Sequence, residues 1–394
     1  MKKVTILGGG FAGLEAAIYL KKYSFDVTLI SDRDYLYIYP TSIWIPTGEA
    51  SFEDNKLDLN ELSDIHGFDL VIDKVAMIDA KQNNYTLEKE GLKSDFDYLI
   101  LAFGASKTPM VGIENTLSIC AEPKQSMLLK DKLDALIQKG SGELCFGFGG
   151  NPKDMSAVRG GPAFELIFNV HNHLKKNGLR DNFKLTFFAP MPEPGKKMGE
   201  KSLKMMDTFF KKLNINRHFG KKIKSFEQES IVFEDDTKLK SDLTMFIAAG
   251  TGNQLVKNSS LSLSEAGFVN IDNFCRVKLE NGELSNKIFA IGDIAALEGY
   301  EWRAKQGHIA EVMARNTAYN IMQLEKNENN FKGYREHLNI LCVMDTGDGA
   351  AFIYRDSKKS LMIPMPIVGH WLKKGWGLYY KLSKRNKFPR LPFM

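Results

Sequence analysis

Cysteine is scarce in this chain: four in 394 residues, at positions 120, 145, 275 and 342. They form no CxxC pair and no zinc spacing, which excludes a disulfide-stapled scaffold and a structural zinc module. His308 and His370 stand isolated in the sequence, so no metal set is expected around either. No apolar run approaches the roughly 18 residues that a conventional spanning helix needs. The opening MKKVTILGGG has too short an apolar part for a signal peptide and no small-residue cleavage site, so a cytoplasmic chain is expected. Motifs for nucleic-acid recognition are missing, and nucleic acid is not expected as a partner. Acidic residues are absent from positions 358–394, which hold nine Lys or Arg. The rest of the chain carries 44 basic against 48 acidic residues, so the formal charge of +5 is a local property of the tail.

What is present is an α/β pattern. Lys3 to Leu7 reads as a strand, Gly8, Gly10 and Gly13 fit GxGxxG, and Ala12 to Leu20 has helical spacing. A second strand, DVTLISD, completes a βαβ unit and delivers Ser31 and Asp32 about twenty positions after the glycines. Glycines there allow a tight turn and close approach of a pyrophosphate to a helix N-terminus, and the carboxylate can accept from a ribose hydroxyl. Two further strand-to-turn signals lie downstream. FDYLILAFGASKTP (96–109) enters a small-residue turn, and NKIFAIGDIAAL (286–297) brings Gly292 and Asp293 to an expected helix start.

Between these pieces lies a second α/β region: DKLDALIQKG, ELCFGFG, AFELIFNVHNHLKKNG, KLTFFAP and MGEKSLKMMDTFFKKLNI alternate helix and strand, and a hairpin comes after them. From about Phe331 the pattern changes to two strands, NILCVMDTGDGAAFIY and SLMIPMPI, and an aromatic, basic end. The expected division is 1–112 and 249–328 as two parts of one nucleotide domain, 113–248 as a second Rossmann-like domain, and 329–394 as a C-terminal segment.

The stretch GFGGNPKDMSAVRGGPAFE (147–165) begins like a nucleotide loop. Asn151 to Gly161 intervene before the helix, however, and Pro152 removes an amide donor. No ribose selector comes after KLTFFAP, where Ala189 and Pro190 take the turn. These features count against a normal NAD(P)H site, although Arg159 could hold an anion.

The whole chain resembles the sulfide:quinone oxidoreductase family, a branch of the two-dinucleotide-domain flavoproteins related to flavocytochrome c sulfide dehydrogenase and type II NADH dehydrogenase. The likeness rests on the glycine turn, VTLISDRDYLYIYPTSIWIPTG, the GD turn, KQGHIAEVMARNTAYNI and GDGAAFI. It implies an α/β fold with two Rossmann-like domains of the glutathione-reductase kind and a C-terminal membrane-facing region. It also implies one FAD, bound by residues matching Gly8, Gly10, Phe11, Ala12, Gly13, Ser31, Asp32, Arg33, Ala102, Gly104, Ala105, Gly292 and Asp293. Pro40, Thr41, Lys305 and Gln306 would lie near the isoalloxazine, with Lys305 stabilising negative charge on the reduced ring. Whether the FAD is covalently attached is left open.

The family passes electrons to a membrane quinone, and the tail fits that expectation. Trp371, Trp376, Tyr379 and Tyr380 are interleaved with Lys373, Lys374, Lys381 and Lys384, a composition suited to the headgroup boundary and to anionic lipid. The alternative is that the aromatic face packs on the body of the protein. A peripheral enzyme on the cytoplasmic side of the membrane is the expected form, with a homo-oligomer left open.

Sulfide oxidation in the family uses two cysteines near the flavin. Cys342 matches the C-terminal one and Cys120 an auxiliary one, but Arg159 occupies the place of the central one. An arginine cannot carry sulfur. Catalytic candidates are therefore Cys342, Glu165 as a proton carrier, Lys305 and Arg159, with Cys145 and Cys275 read as packing. The donor expected is a reduced sulfur compound or another small donor; the alternatives are NAD(P)H, and a flavin-bound scaffold without turnover.

Overall fold

The computed structural model describes residues 1–390; positions 391–394, the end of the expected C-terminal segment, lie outside the described residues. Lys3–Leu7 pairs in parallel with Asp26–Ser31 on one side and Tyr98–Leu101 on the other. Leu284–Ala290 joins Tyr98–Leu101 in parallel, so strands far apart in sequence share a six-stranded sheet. Every residue of Tyr98–Leu101 is buried, as expected for a parallel strand covered on both faces. The Phe11–Lys22 and Gly307–Glu325 helices pack against each other on this sheet.

A second, four-stranded parallel sheet runs Ile215–Phe219, Phe183–Ala189, Gly142–Phe148, Leu243–Ile247. Its core is aromatic: Phe164 stacks on Phe187 with ring centres 4.4 Å apart, and Phe210 closes on both. The Gly161–Lys176 helix starts with Pro162 in its first turn, where the missing amide costs nothing, and buries its apolar face here.

Two sequence expectations change. After the GD turn no α-helix begins: Gly292–Ile294 is a single 3-10 turn leading into the short strand Ala295–Ala296, and the α-helix starts only at Gly307. Gly292, at φ +72°, turns the chain away from helical geometry. The C-terminal segment has three antiparallel strands, not two, because DTGDGA folds back between Ile340–Asp345 and Gly349–Arg355; Ser360–Pro366 is the third. The hydroxyl and carboxylate of Thr346 and Asp348, 3.2 Å apart, sit in this reversal. The Val368–Lys384 helix then packs on those strands. It approaches closely through small residues: a Cβ on Gly377 would lie 2.9 Å from Thr41 Cγ2.

Candidate active site

A cavity of about 1630 Å³ opens between the two sheets and the C-terminal helix. Its wall at the six-stranded sheet contains Gly8, Gly10, Phe11, Ala12, Ser31, Asp32, Arg33, Pro40, Ala102, Gly104, Ala105, Gly292 and Asp293. Apart from Pro40, which lies in the 3-10 helix Tyr39–Trp44, these come from the ends of neighbouring parallel strands and the start of the Phe11–Lys22 helix, the usual position of a ligand crevice in such sheets. Gly8 adopts φ +115°, and a Cβ there would lie 2.6 Å from the Phe103 Cα. A Cβ on Gly13 would lie 1.8 Å from the Gly8 carbonyl oxygen, so the third glycine serves helix-to-strand packing and is set back from the wall. A Cβ on Gly10 would meet nothing within 4 Å, which leaves this side of the turn open. This glycine pattern suits a bound pyrophosphate.

Thr41, expected near the ring of the cofactor, is also set back. It lies in the 3-10 helix Tyr39–Trp44, which winds its hydroxyl onto the Ile38 carbonyl at 3.0 Å.

Arg159, Glu165, Lys305, Gln306 and Cys342 do line the cavity. Arg159 forms an ion pair with Asp293, joining the loop before the Gly161–Lys176 helix to the GD turn. Lys305 donates to the Ala295 carbonyl and lies 3.9 Å from the centre of the Phe268 ring. Burial pulls the Lys305 ammonium down to about 7, and nearby Arg159 and Arg303 add to the effect. Gln306 donates to the Leu341 carbonyl at 3.4 Å, while its buried side-chain oxygen has no hydrogen-bond partner. An acceptor left bare beside the cavity fits a ligand that brings a donor.

Glu165 accepts from Lys373 and from the Asp345 amide at 3.2 Å, and its Oε1 lies 4.0 Å from Cys342 Sγ. Burial holds its carboxyl above the usual range against the pull of Lys373. Burial, with Glu165 adding to it, pushes the Cys342 thiol up to about 12, so at neutral pH it is the thiol and not the nucleophilic thiolate. Cys120, Cys145 and Cys275 are buried, and all four cysteines are free.

Sequence reading missed the partners of these groups. Lys373 was visible only as a tail cation, 208 positions from Glu165. Asp345 pairs with His370 at 2.7 Å, and His370 lies 3.5 Å from Glu49. Glu15, Glu311 and Lys384 form a buried ionic cluster, with Lys384 Nζ 2.5 Å from Glu15 and 2.6 Å from Glu311. No local signal marks such pairs, since both partners are single charged residues in unrelated segments.

The tail also departs from the expected basic, lipid-facing surface. Lys374 pairs with Glu49 at 3.1 Å, Lys381 donates to the Asp54 carbonyl at 3.0 Å and Arg385 grips Glu61 with two bonds of 2.7 Å. With Lys373 and Lys384 buried, the interleaved lysines are engaged by the protein body. Tyr380 likewise points inward, packing on Phe11 and donating to Glu311 at 3.1 Å. Trp376 stacks beside it, and both line the cavity with Tyr379 and Trp371. What remains exposed on this helix and at the residue before it is apolar: Ile367, Val368, Trp371, Leu372 and Leu378 are 50–70% exposed, while Lys358, Lys359 and Lys387 are exposed elsewhere in the tail. Among the described residues, no helix is long and apolar enough to cross a membrane.

Parallel strands ending in glycine turns around one large cavity define a dinucleotide-binding oxidoreductase fold. The family model described as pyridine nucleotide-disulphide oxidoreductase matches residues 2–318, and the chain belongs to that family. It is 27% identical to the sulfide-quinone reductase of Aquifex aeolicus over 98% of this chain and 91% of that protein. It is 24% identical to the type II NADH:quinone oxidoreductase of Staphylococcus epidermidis over 97% and 98% of the two chains. The solved sulfide:quinone oxidoreductase of Aquifex aeolicus has the same fold, with a TM-score of 0.87 over 100% of this chain and 94% of that one at 24% identity. The type II enzyme structure from Plasmodium falciparum matches at 0.73, 15% identical over 98% and 96%. The protein is thus a redox enzyme of this family, similar to both groups.

Proposed function

We propose that the protein is an FAD-dependent oxidoreductase at a membrane surface, passing two electrons from a small reduced donor to a membrane quinone. The continuity of one cavity, from the Gly8–Gly10 turn to the exposed apolar face of the C-terminal helix, supports this most directly. FAD, when bound, supplies the two-electron carrier between donor and acceptor. Gly10 would leave room for its pyrophosphate, Asp32 would accept from a ribose hydroxyl, and the bare Gln306 oxygen would accept from the ring system.

On the acceptor side, burial raises the Glu165 carboxyl above its usual range, which favours its taking up a proton there. Lys373 orients it and offsets its charge once that proton is given up. Lys305, balanced near neutrality, can offer positive charge where electron density develops. Trp371, Leu372 and Leu378 would sit among lipid headgroups and open the cavity to a quinone from the bilayer. Apolar burial, rather than attraction to anionic lipid, would hold the enzyme there.

NAD(P)H is the second reading for the donor, favoured by the full-length match to the type II enzyme. The loop counts against it. The Lys153 and Asp154 amides donate to Asn151 Oδ1 and the Ser156 amide to Asp154 Oδ1, so donors that could hold a second pyrophosphate are already engaged. Anaerobic titration of the flavin-loaded protein with sulfide, other thiols, NADH and NADPH, then with a soluble quinone, tests the proposal. Bleaching by one donor and reoxidation by quinone is expected; flavin that no donor reduces, or that quinone leaves reduced, would overturn it.

A further inference from the structure

We propose that the donor side of the cavity is an anion site built on Arg159 and Lys107, so that the donor enters as a small anion. This rests on the functional reading above and narrows its donor. Lys107 ends the short strand Ser106–Lys107, which pairs with Gly250–Thr251, and Arg159 ends the loop before the Gly161–Lys176 helix. Both line the cavity, and Cys120 lines it with them.

Carboxylates are too few for these cations. Asp293 engages Arg159, and the Asp154 carboxylate is held by the Ser156 amide. Among the described residues Lys107 has no carboxylate within ion-pair distance. Two cations that line one cavity against one carboxylate, already paired with Arg159, favour an anion there. Arginine adds a planar fork suited to two acceptor oxygens or a polarisable sulfur anion. A Cβ on Gly161 would meet nothing within 4 Å, so the approach beside Arg159 is open.

The substitution also has a chemical consequence. Where the related enzymes would hold sulfur on a cysteine, this chain offers charge, which binds a reductant without bonding to it. A small sulfur oxyanion, a thiolate or a short carboxylate shares the needed chemistry.

Calorimetry of the oxidised, flavin-loaded protein with thiosulfate, and separately with acetate, at constant ionic strength set by chloride, tests the site. Saturable binding of at least one anion is expected, weakened tenfold or more in Lys107→Gln and in Arg159→Gln, with flavin content and melting temperature kept. Lys107→Gln removes no ion pair, so it keeps the test usable if Arg159→Gln misfolds. Absence of saturable binding, or unchanged affinity in Lys107→Gln, would overturn the proposal. Loss of flavin from both variants would overturn it too, by assigning the cations to the cofactor. Because no electron moves in this measurement, its failure leaves the quinone-reductase reading standing, and the reverse also holds.

Discussion

Lys373 of the C-terminal helix ends on the Glu165 carboxylate inside the cavity wall, 208 positions away in the chain. The pair ties the outermost helix to the first turns of the Gly161–Lys176 helix, so the segment proposed to meet the membrane is anchored to a candidate proton carrier. Removing one partner of a buried pair leaves the other charge uncompensated. Lys373→Met is expected to lose about 3 kcal/mol at pH 8. Without the ammonium, Glu165 rises further above its unfolded pKa, so the deficit shrinks as pH falls and the carboxyl takes up a proton. Urea unfolding of Lys373→Met, Glu165→Gln and the double variant measures this; equal stability of wild type and Lys373→Met at pH 8 would refute it.

Glu15 carries the opposite shift. Burial pushes its carboxyl up, but Lys384, Arg390 and Arg315 overcome that and hold it at about 2. A depressed carboxylate stabilises the fold above its unfolded value of about 4.5 and loses that contribution as pH falls toward 2. The shift corresponds to roughly 3 kcal/mol. Glu15→Gln is expected to be less stable at neutral pH by an amount of this order, and to show a flatter stability profile between the two values. An unchanged acid slope in the variant would exclude the role.

Membrane attachment should track apolar area rather than charge. Trp371→Ser combined with Leu378→Ser is expected to weaken binding to phosphatidylcholine vesicles at least tenfold, each large side chain contributing about 1.5–3 kcal/mol when fully buried. Sedimentation with neutral and anionic vesicles at low and high salt separates the two mechanisms. Binding that requires anionic lipid and disappears at high salt would contradict the internal pairing of the tail lysines.

The glycine turn divides into a packing position and a binding position. Gly13→Ala places a methyl group 1.8 Å from the Gly8 oxygen, and a destabilisation of about 1–3 kcal/mol is expected. Gly10→Ala meets no protein atom and should fold normally, yet fall tenfold or more in flavin affinity. Melting temperature and flavin content of the two variants report these effects independently; a destabilised Gly10→Ala would show that the assignment is wrong.

Cys342, held as a thiol by burial and by Glu165, should react with iodoacetamide at pH 7.5 on the order of a thousandfold more slowly than a model thiol. Mass spectrometry after timed labelling checks this, and labelling at the model rate would show a thiolate in the site.

Much of the frame was legible because it rests on local backbone demands. The Lys3–Leu7 strand, the Gly8 turn and the Phe11–Lys22 helix arise from apolar spacing and from a backbone angle that favours glycine. The strand Gly142–Phe148 and the helix Gly161–Lys176 were readable for the same reason, as was the unusual length of the loop between them. Thr41, placed near the ring by the resemblance, lies off the cavity wall because the 3-10 turn binds its hydroxyl to the Ile38 carbonyl, which residue order does not show. The GD turn misled because positive φ at Gly292 ends a pattern that otherwise resembles a helix start.

The tail marks the boundary between the two kinds of information. Sequence alone determined that positions 358–394 are basic and aromatic, and that Arg159 stands where a sulfur carrier was expected, since these are matters of residue identity and order. Only the tertiary structure decided which charges are free. It brings Glu165, Glu15, Glu311, Glu49 and Glu61 from four helices and a loop against the last helix and its C-terminal end, and their carboxylates take up Lys373, Lys374, Lys384 and Arg385. Burying those cations without partners would cost far more than pairing them. The exposed face of the last helix is therefore apolar, although it lies in the most basic stretch of the chain, whose exposed cations Lys358, Lys359 and Lys387 fall outside that helix.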